Sequence, residues 1–350
     1  MYFASDNSSP AHPKVLEALA RANSGYAGGY GNDDITVKVT AMIRDLFEAP
    51  DAAVYLVATG TAANALGLSL ICTPFQTIYC HHNSHIEVDE CGAPVAYIGG
   101  GKLALLDGDH GKFTPDKLYQ AITETAHADV HSLQRGPVSI TNTTESGTVY
   151  SPVEVTAISA IAREFGLSMH MDGARFANAL VASGATPAEM TWKAGIDVLS
   201  FGGTKNGLMG VEAVVLFDSQ KAWEFELRRK RGGHLFSKHR YLAAQMEAYL
   251  TDNLWRELAT NANAMAAKLS AGIVEIEGAK LTHPTQANCV FASWPRIGHK
   301  KVQDAGAKYY LWPFDQTLDG PDNETVAARL VCSWSTTQED VDSFLKELSI

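Results

Sequence analysis

The sequence lacks several features that mark specialised classes of protein. It has only five cysteines, an odd number without the close spacing of a disulfide framework or zinc motif, and this predicts a reduced, cytoplasmic protein. No run of about 18 apolar residues is present that would span a bilayer. The first residues have neither the basic region nor the apolar core of a signal peptide. We therefore expect no membrane association.

Positive charge is also scarce. Lys and Arg number 28 against 39 Asp and Glu, which gives a formal net charge of −11. An acidic chain is a poor match for nucleic acid or for an anionic membrane surface. The length of 350 residues allows two domains with a substantial core. A hydrophobic content of 46% and a charged content of 19% are ordinary for a globular enzyme.

A single lysine follows an apolar run. Residues 196–201 are typical of a buried strand, and Gly202 and Gly203 then allow a sharp turn just before Lys205. The simpler interpretation is a loop lysine that reaches into solvent. The alternative is a desolvated amine suited to Schiff-base chemistry.

A second stretch favours the chemical interpretation. Residues 167–171 alternate like a strand, and Asp172 follows at its carboxyl end, where open α/β sheets bind ligands. An aspartate and a lysine at two strand ends are what pyridoxal phosphate needs, because the carboxylate pairs with the ring nitrogen and the amine holds the aldehyde. Alone, Asp172 could equally cap the following helix.

The motifs HMDGAR at 170–175 and SFGGTKNG at 200–207 resemble those of the low-specificity threonine aldolases, of which phenylserine aldolase is a close relative. The resemblance covers nearly the whole chain. It implies the type I, aspartate-aminotransferase fold of pyridoxal-phosphate enzymes. Many members have Ser-Lys-Gly where this chain has Thr-Lys-Asn at 204–206, which indicates a particular branch.

This fold has a mixed, mostly parallel seven-stranded sheet in a large domain and a small carboxyl-terminal α/β domain. We expect the N-terminal segment and the large domain at 1–245, and the small domain at 246–350. The alternation of strand and helix patterns independently predicts an α/β fold. Strands are expected at 54–57, 77–80, 138–144, 167–171, 196–201, 211–217, 274–276, 287–292 and 328–332, and residues 99–113 are expected to form a connecting loop.

A turn of small residues at 58–64 separates a strand from a helix. Free N–H groups and the positive end of the helix dipole converge at such a turn. We therefore expect Gly60 and Thr61 to bind the cofactor phosphate, although many α/β turns have a similar sequence.

The resemblance implies the roles of other residues near the cofactor. His85 is expected to stack over the pyridine ring, Glu90 to lie nearby, and His131 to approach the β-hydroxyl of the substrate. Arg175 is expected to contact cofactor and substrate. At 141–143 the chain has Thr-Asn-Thr where the family usually has Glu-Asn-Thr, so we expect any role of that glutamate to be absent.

Further matches concern the substrate carboxylate and the subunit arrangement. Ser5 and Arg329 match residues that bind the carboxylate, although Ser5 and Asp6 also suit a simple turn and Arg329 an internal ion pair. Tyr30 lies in a glycine-rich loop and matches an aromatic residue that enters the neighbouring subunit's site. The alternative is that this stretch is a plain surface loop. The resemblance therefore implies a homodimer or homotetramer with shared active sites.

The roles of two charged stretches are not decided by the sequence. Histidines and carboxylates at 81–92 suggest a metal site, but their spacing is not a zinc pattern and the cofactor explains the site without a metal. The one dense basic run is either a solvated helix end or a source of phosphate neutralisation. Its candidates are Arg228, Arg229, Lys230, Arg231 and the nearby Lys238.

The expected reaction is retro-aldol cleavage of L-threonine, L-allo-threonine or a related β-hydroxy-α-amino acid, phenylserine included, to glycine and an aldehyde. The nearest alternative is β-elimination with the same cofactor, since the fold hosts several chemistries. A more distant alternative is a binding protein that retains the fold. The sequence leaves open the preferred substrate, the stereochemistry at the β-carbon and the choice between dimer and tetramer.

Overall fold

A seven-stranded sheet forms the centre of the computed structural model, which describes residues 1–349. Its strands are β1 (Ala53–Val57), β2 (Thr77–His81), β3 (Lys102–Leu106), β4 (Val138–Thr141), β5 (Met169–Gly173), β6 (Val198–Gly202) and β7 (Glu212–Leu216). Their spatial order is β1-β7-β6-β5-β4-β2-β3. Strand β7 runs antiparallel to β1 and β6, and the other neighbours are parallel. The predicted mixed, mostly parallel sheet is confirmed.

Helices cover both faces of this sheet and surround a second one. They are α1 (Pro13–Ala22), α2 (Asp34–Leu46), α3 (Gly60–Ile71), α4 (His85–Val88), α5 (Ala93–Ile98), α6 (Pro115–Glu124), α7 (Pro152–Glu164), α8 (Phe176–Ser183), α9 (Pro187–Met190), α10 (Ala222–Arg231), α11 (Arg240–Leu250), α12 (Leu254–Val274), α13 (Arg296–Asp304) and α14 (Gln338–Leu348). Local sequence sets several starts: Ser151 and Glu154 form a capping box at α7, whose first residue is a proline. None of the helices in residues 1–349 combines the length and apolar character needed to cross a lipid bilayer.

The second sheet is antiparallel and lies in the carboxyl-terminal part of the chain. Its strands are β8 (Lys280–Leu281), β9 (Cys289–Pro295), β10 (Tyr310–Leu311) and β11 (Thr325–Val331), in the order β10-β11-β9-β8. The N-terminal segment joins it, because Phe3 donates its N–H to the Lys308 carbonyl at 2.7 Å and accepts from the Val331 N–H at 2.8 Å. Phe3 packs in the same apolar cluster as Trp294. The boundary near residue 245 stays a prediction.

The central strands of the large sheet are held rigidly. Every residue of β5 and β6 is buried. The His170 ring lies between two hydroxyl groups, with Nδ1 at 2.9 Å from Ser139 Oγ and Nε2 at 3.3 Å from Ser200 Oγ. Burial lowers the pKa of His170 to about 4, so this imidazole is neutral. The three hydrogen-bonded side chains fix β4, β5 and β6 relative to one another, and their carboxyl ends form one edge.

Three predictions of local structure were wrong. Residues 102–106 form strand β3 and not a connecting loop. The strand was missed because it lies at the edge of the sheet, where Lys102 and Leu105 are exposed, and because its apolar pattern is weak and follows three glycines. No strand occupies 274–276: helix α12 continues to Val274, with Ile273 on its buried face. Strand β4 ends at Thr141, since the chain turns from residue 142 onward.

Candidate active site

A cavity of about 450 Å³ opens at the carboxyl edge of the large sheet. Strand β5 brings Asp172 to its wall and the turn after β6 brings Lys205, because neighbouring parallel strands end at the same edge. The predicted residues that line this cavity are Gly60, Thr61, His85, Asp172 and Lys205. The structure therefore brings together, within one subunit, most of the residues expected at the cofactor.

The turn that carries Lys205 is anchored on both sides. A Cβ atom at Gly202 would clash with the backbone of Ala174, so glycine is needed where the two strand ends lie side by side. Asn206 is buried and donates from Nδ2 to Tyr249 Oη and to the Trp255 carbonyl, both at 2.8 Å. The asparagine that departs from the family's usual glycine thus ties the lysine turn to α11 and α12.

Asp172 is buried with both carboxylate oxygens engaged. Oδ1 accepts the Ala174 N–H at 2.9 Å, and Oδ2 accepts from Asn64 Nδ2 at 2.9 Å. Burial alone would raise its pKa, but the charges of His85 and Lys205, together with the Ala174 N–H, hold the pKa below its usual value. A buried carboxylate that stays ionised suits a protonated ring nitrogen, and Asp172 is not merely a helix cap.

His85 is polarised by a second carboxyl group. Its Nδ1 lies 2.8 Å from Glu90 Oε1, which also accepts from Asn64 Nδ2 at 2.8 Å. Burial opposes the charged imidazole, but Glu90 and Asp172 outweigh it and raise the pKa of His85. One ligand atom from each of His85, Glu90 and Asp172 lies within 4.8 Å of the others, but hydrogen bonds through Asn64 already engage both carboxylates.

The start of α3 has the features of an anion-binding turn. Thr59 caps the helix, with Oγ1 accepting the Ala62 N–H at 3.1 Å. The first N–H groups of a helix, here those of Gly60 and Thr61, have no acceptor within the helix. The position that a Cβ of Gly60 would take faces open space. These features fit a phosphate, and with Lys205 and Asp172 they fit pyridoxal phosphate.

The basic run at the end of α10 does not enter this cavity in its own subunit. Arg228 pairs with Glu224, and Arg229 pairs with Glu226 at 2.8 Å. The Lys230 ammonium lies 5.0 Å from the centre of the Tyr30 ring. Among residues 1–349, Lys205 is the only lysine or arginine that lines the cavity. A phosphate bound there would therefore meet no second lysine or arginine from residues 1–349 of the same chain.

The N-terminal segment supplies a counterion that sequence reasoning treated as a turn residue. Asp6 is buried and forms a two-pronged ion pair with Arg175: Nε to Oδ2 at 2.7 Å and Nη2 to Oδ1 at 2.9 Å. Asn288 Nδ2 also donates to Asp6 at 3.1 Å. Burial would raise the pKa of Asp6, but Arg175 keeps it low. Ser5, directly before Asp6, accepts the Asn7 N–H at 3.2 Å, and Asn7 lines the cavity.

Arg329 has no such counterion. The arginines that form ion pairs within residues 1–349 are Arg175, Arg228, Arg229 and Arg296. The Arg329 guanidinium instead lies 5.0 Å from the centre of the Trp312 ring, and its buried Nε has no hydrogen-bond partner. Burial lowers its pKa, and nearby Arg175 adds to this effect. The structure thus excludes the internal ion pair and leaves a partly buried cation ready for an anion.

Five predicted site residues do not line this cavity: Ser5, Arg175 and Arg329, described above, and His131 and Tyr30. His131 is exposed in the loop before β4, which is held at the amino edge of the sheet by Gln134 N–H donating to the Phe75 carbonyl at 2.8 Å. That edge is opposite Asp172, because β2, β4 and β5 are parallel. Tyr30 is half exposed beside Lys230 and does not line the cavity.

Sequence reasoning missed the carboxyl group of Glu145. Its Oε1 accepts the His85 N–H at 2.7 Å and the Thr141 hydroxyl at 2.9 Å, while its buried Oε2 has no partner. Burial, together with the charge of Asp172, raises the pKa of Glu145 to about 7. The chain lacks the usual glutamate at 141, but the turn after β4 returns Glu145 to the space beside Thr141. Only the folded turn reveals this.

Glu212, the first residue of β7, was missed as well. It is 5% exposed, lines the cavity, and accepts the Gly203 N–H on Oε2 at 2.8 Å. Burial raises its pKa to about 7. An acidic residue that opens the otherwise apolar run EAVVL was a readable signal.

The sheet topology, with Lys205 and Asp172 at its carboxyl edge, is that of a type I pyridoxal-phosphate enzyme. Residues 2–294 match the family model described as beta-eliminating lyase, and the chain belongs to that family.

Named relatives narrow the comparison further. The chain is 40% identical over 339 residues to a low specificity L-threonine aldolase of Pseudomonas sp. (strain NCIMB 10558), covering 97% of this chain and 94% of that protein. It is 39% identical to the low specificity L-threonine aldolase of Pseudomonas aeruginosa, covering 99% and 97% of the two chains. The structure of Leishmania major threonine aldolase matches with a TM-score of 0.91 and 31% identity, covering 99% and 98%. A structure of SPT with PLP, at 15% identity and a TM-score of 0.71 over 100% and 86% of the chains, shares the fold alone.

The raised pKa of Glu145 predicts how pH affects stability. A folded-state pKa of about 7, against 4.5 for the free side chain, means that this group's stabilisation is present at low pH and is lost as pH rises from about 4.5 to about 7. We expect Glu145→Gln, which keeps the shape without ionising, to raise the free energy of unfolding of the cofactor-free protein by roughly 1–3 kcal/mol at about pH 8, and hardly at about pH 5. Urea unfolding at both pH values measures this.

The matched control is Glu164→Gln, which alters an exposed glutamate on α7. It should change stability little at either pH. An equal effect of Glu145→Gln at both pH values would contradict the assignment of a protonated Glu145 in the folded state.

Proposed function

We propose that this chain is a pyridoxal-phosphate-dependent aldehyde lyase that cleaves L-threonine, L-allo-threonine and related β-hydroxy-α-amino acids to glycine and an aldehyde. The observation that carries the proposal is one cavity that contains Lys205 and an ionised Asp172. The Pseudomonas relatives that carry the name low specificity L-threonine aldolase, at 39% and 40% identity over nearly the full length, support the reaction type.

Five residues would hold the cofactor. Asp172 would keep a proton on the ring nitrogen, Lys205 would bind the aldehyde, His85 would contact the ring, and the N–H groups of Gly60 and Thr61 would bind the phosphate, since all five residues line the cavity. The bound group supplies an electron sink for the bond that breaks at the α-carbon of the substrate. The protein must then hold that bond in the correct direction.

We assign the binding of the substrate carboxylate to Arg329, which lies near Arg175 but does not itself line the cavity. A planar guanidinium binds a carboxylate through two parallel hydrogen bonds. Within residues 1–349, Arg329 forms no ion pair and its buried Nε has no hydrogen-bond partner. Arg175 lies close enough to lower the pKa of Arg329, and its ion pair with Asp6 holds it in place beside the same anion. We also assign Ser5, next to Asp6, to the binding of the substrate carboxylate.

The proton of the β-hydroxyl needs an acceptor. His85, whose imidazole is oriented by Glu90 at 2.8 Å, is the histidine that lines the cavity. His131 lies at the opposite edge of its own sheet, so a role in proton transfer requires that a neighbouring copy supplies it. A positioned base of this kind typically contributes ~10²–10⁴ in rate.

The subunits of a homodimer, or of a homotetramer built from two dimers, would share their active sites. The cavity has one lysine of its own chain for a doubly charged phosphate. Tyr30 and Phe236 are exposed aromatic residues, and Lys230, at the basic end of α10, lies 5.0 Å from the centre of the Tyr30 ring. We assign this surface to the partner's phosphate site.

The five cysteines are all free, in keeping with the cytoplasm.

Product analysis tests the reaction type. With L-threonine, the holoenzyme should form glycine and acetaldehyde in equal amounts, and Lys205→Ala should lose nearly all turnover because the residue that holds the cofactor is gone. Formation of 2-oxobutyrate and ammonia in place of glycine would favour β-elimination. No turnover of any β-hydroxy-α-amino acid by a cofactor-loaded protein would favour a binding protein.

Steady-state kinetics test the carboxylate site. Arg329→Gln should raise KM for L-threonine about 10–100-fold, since a hydrogen bond to a charged group contributes roughly 1.5–3 kcal/mol. Arg135→Gln is a matched control: Arg135 also stacks on an aromatic ring, at 5.0 Å from Phe165, and also has a buried Nε without a partner, but it lies at the amino edge of the sheet. If Arg329→Gln and Arg135→Gln change KM equally, Arg329 does not bind the substrate carboxylate.

Subunit mixing tests the shared site. Tyr30→Phe and Lys205→Ala should each impair the homo-oligomer, whereas mixed oligomers contain some sites with both residues intact and should regain activity. If verified mixed oligomers are as inactive as the two single-variant homo-oligomers, Tyr30 acts in the active site of its own chain.

A further inference from the structure

Glu212 is placed to act on the lysine that holds the cofactor. It lies opposite Gly202, the last residue of β6, in the antiparallel pairing of β6 and β7. Its Oε2 accepts the N–H of Gly203, two residues before Lys205, at 2.8 Å. Lys205 and Glu212 line the same cavity. The carboxyl group is thus part of the turn that orients Lys205.

A structural role alone does not require a carboxyl group here. A glutamine could accept the same Gly203 hydrogen bond, and it would avoid the cost of burying an ionisable group. None of the ion pairs within residues 1–349 involves Glu212. The acidic group therefore stands in a buried position without the partner that usually accompanies one.

The charges of the cavity favour a proton on one of its carboxyl groups. Asp89, Asp172 and Glu212 line it, and the basic side chains among residues 1–349 that line it are Lys205 and His85, whose pKa is raised. Asp172 keeps a low pKa, whereas burial raises the pKa of Glu212 to about 7, with Lys205 lowering it and Asp172 raising it. Tyr249 on α11 is a further titratable neighbour of Glu212, and β1 presents the apolar Val57. Glu212 can therefore gain or lose a proton near neutral pH.

We propose that Glu212 is a positioning residue that exchanges a proton with the Lys205 amine. When Lys205 is released as an ammonium, an N–H bond of Nζ breaks and a proton is delivered to a carboxylate oxygen of Glu212, which leaves a neutral amine and a carboxylic acid. Lys205 and Glu212 form no direct ion pair, so the transfer passes through one water molecule, which gains one proton and gives up another. The reverse transfer restores the ammonium when the lysine has given up a proton in the site. No further reactant is needed. This role rests on the proposed use of Lys205 as the cofactor-binding amine and not on the identity of the amino-acid substrate.

The test is a pH titration of the visible absorption band of the holoenzyme without substrate. Glu212→Gln keeps the acceptor for Gly203 but removes the charge beside Lys205, so the protonated form of the lysine–cofactor linkage loses stabilisation. We expect the titration midpoint to fall by about 1 pH unit. Glu164→Gln, an exposed change of equal charge on α7, should leave the midpoint unchanged. A folded, cofactor-loaded Glu212→Gln protein with the wild-type midpoint would overturn the proposal.

Two further measurements separate proton exchange from a structural role. Glu212→Asp, which retains an ionisable group, should shift the midpoint less than Glu212→Gln, whereas a purely structural role predicts the larger disturbance for the shorter side chain. In the wild-type holoenzyme, NMR of protein labelled with ¹³C at the glutamate carboxyl should show a group in addition to Glu145 that titrates near pH 7. The absence of such a group would contradict the proposal even if neither variant folds.

The outcomes distinguish this inference from the proposed function. If Glu212→Gln lowers the midpoint but the wild-type protein does not cleave L-threonine, the Lys205–Glu212 coupling is supported and the proposed aldolase reaction is contradicted. If the wild-type protein cleaves L-threonine but Glu212→Gln has the wild-type midpoint, the proposed reaction is supported and the Lys205–Glu212 coupling is contradicted.

Discussion

The buried, ionised carboxylate of Asp172 is the constraint on which the rest of the site depends. A carboxylate loses much hydration energy when it leaves water, so it remains charged only where hydrogen bonds and opposite charges replace that hydration. The Ala174 N–H and the Asn64 amide provide the hydrogen bonds, and His85 and Lys205 provide the charge. Each of these groups is held by a different element of the large sheet or its helices. The sheet order therefore determines where the charge lies.

The proposed binding site for the substrate carboxylate depends on a longer-range arrangement. Asp6 from the N-terminal segment, Arg175 from the end of β5 and Asn288 from the loop before β9 form one buried hydrogen-bonded group. Phe3 joins the same N-terminal segment to the small sheet. Arg329 lies nearby without a counterion of its own. A substrate carboxylate would thus complete a charge balance that the protein leaves open between its two sheets.

The sequence predicted those parts of the structure that depend on local pattern. The apolar runs that end in Asp172 and Lys205 and the small-residue turn at Gly60 were readable because strand period, glycine and helix starts are local properties. The seventh strand came only from the family resemblance, since β3 is a half-exposed edge strand. The roles of Asp6 and Glu145 were not readable, because each depends on a partner brought close by the fold: Arg175 for Asp6, and the His85 backbone for Glu145. The placement of His131 shows the converse, since a residue matched by resemblance lies at the opposite edge of its own sheet.

The central claim is that Lys205 holds the cofactor beside Asp172 in this cavity. Borohydride reduction of the holoenzyme, which makes the lysine–cofactor linkage permanent, followed by peptide mass spectrometry, tests it directly. The account predicts a pyridoxyl phosphate group on the peptide that contains Lys205 and on no other lysine peptide. A label on a different lysine, or no label on a protein that retains its cofactor absorbance before reduction, would contradict it.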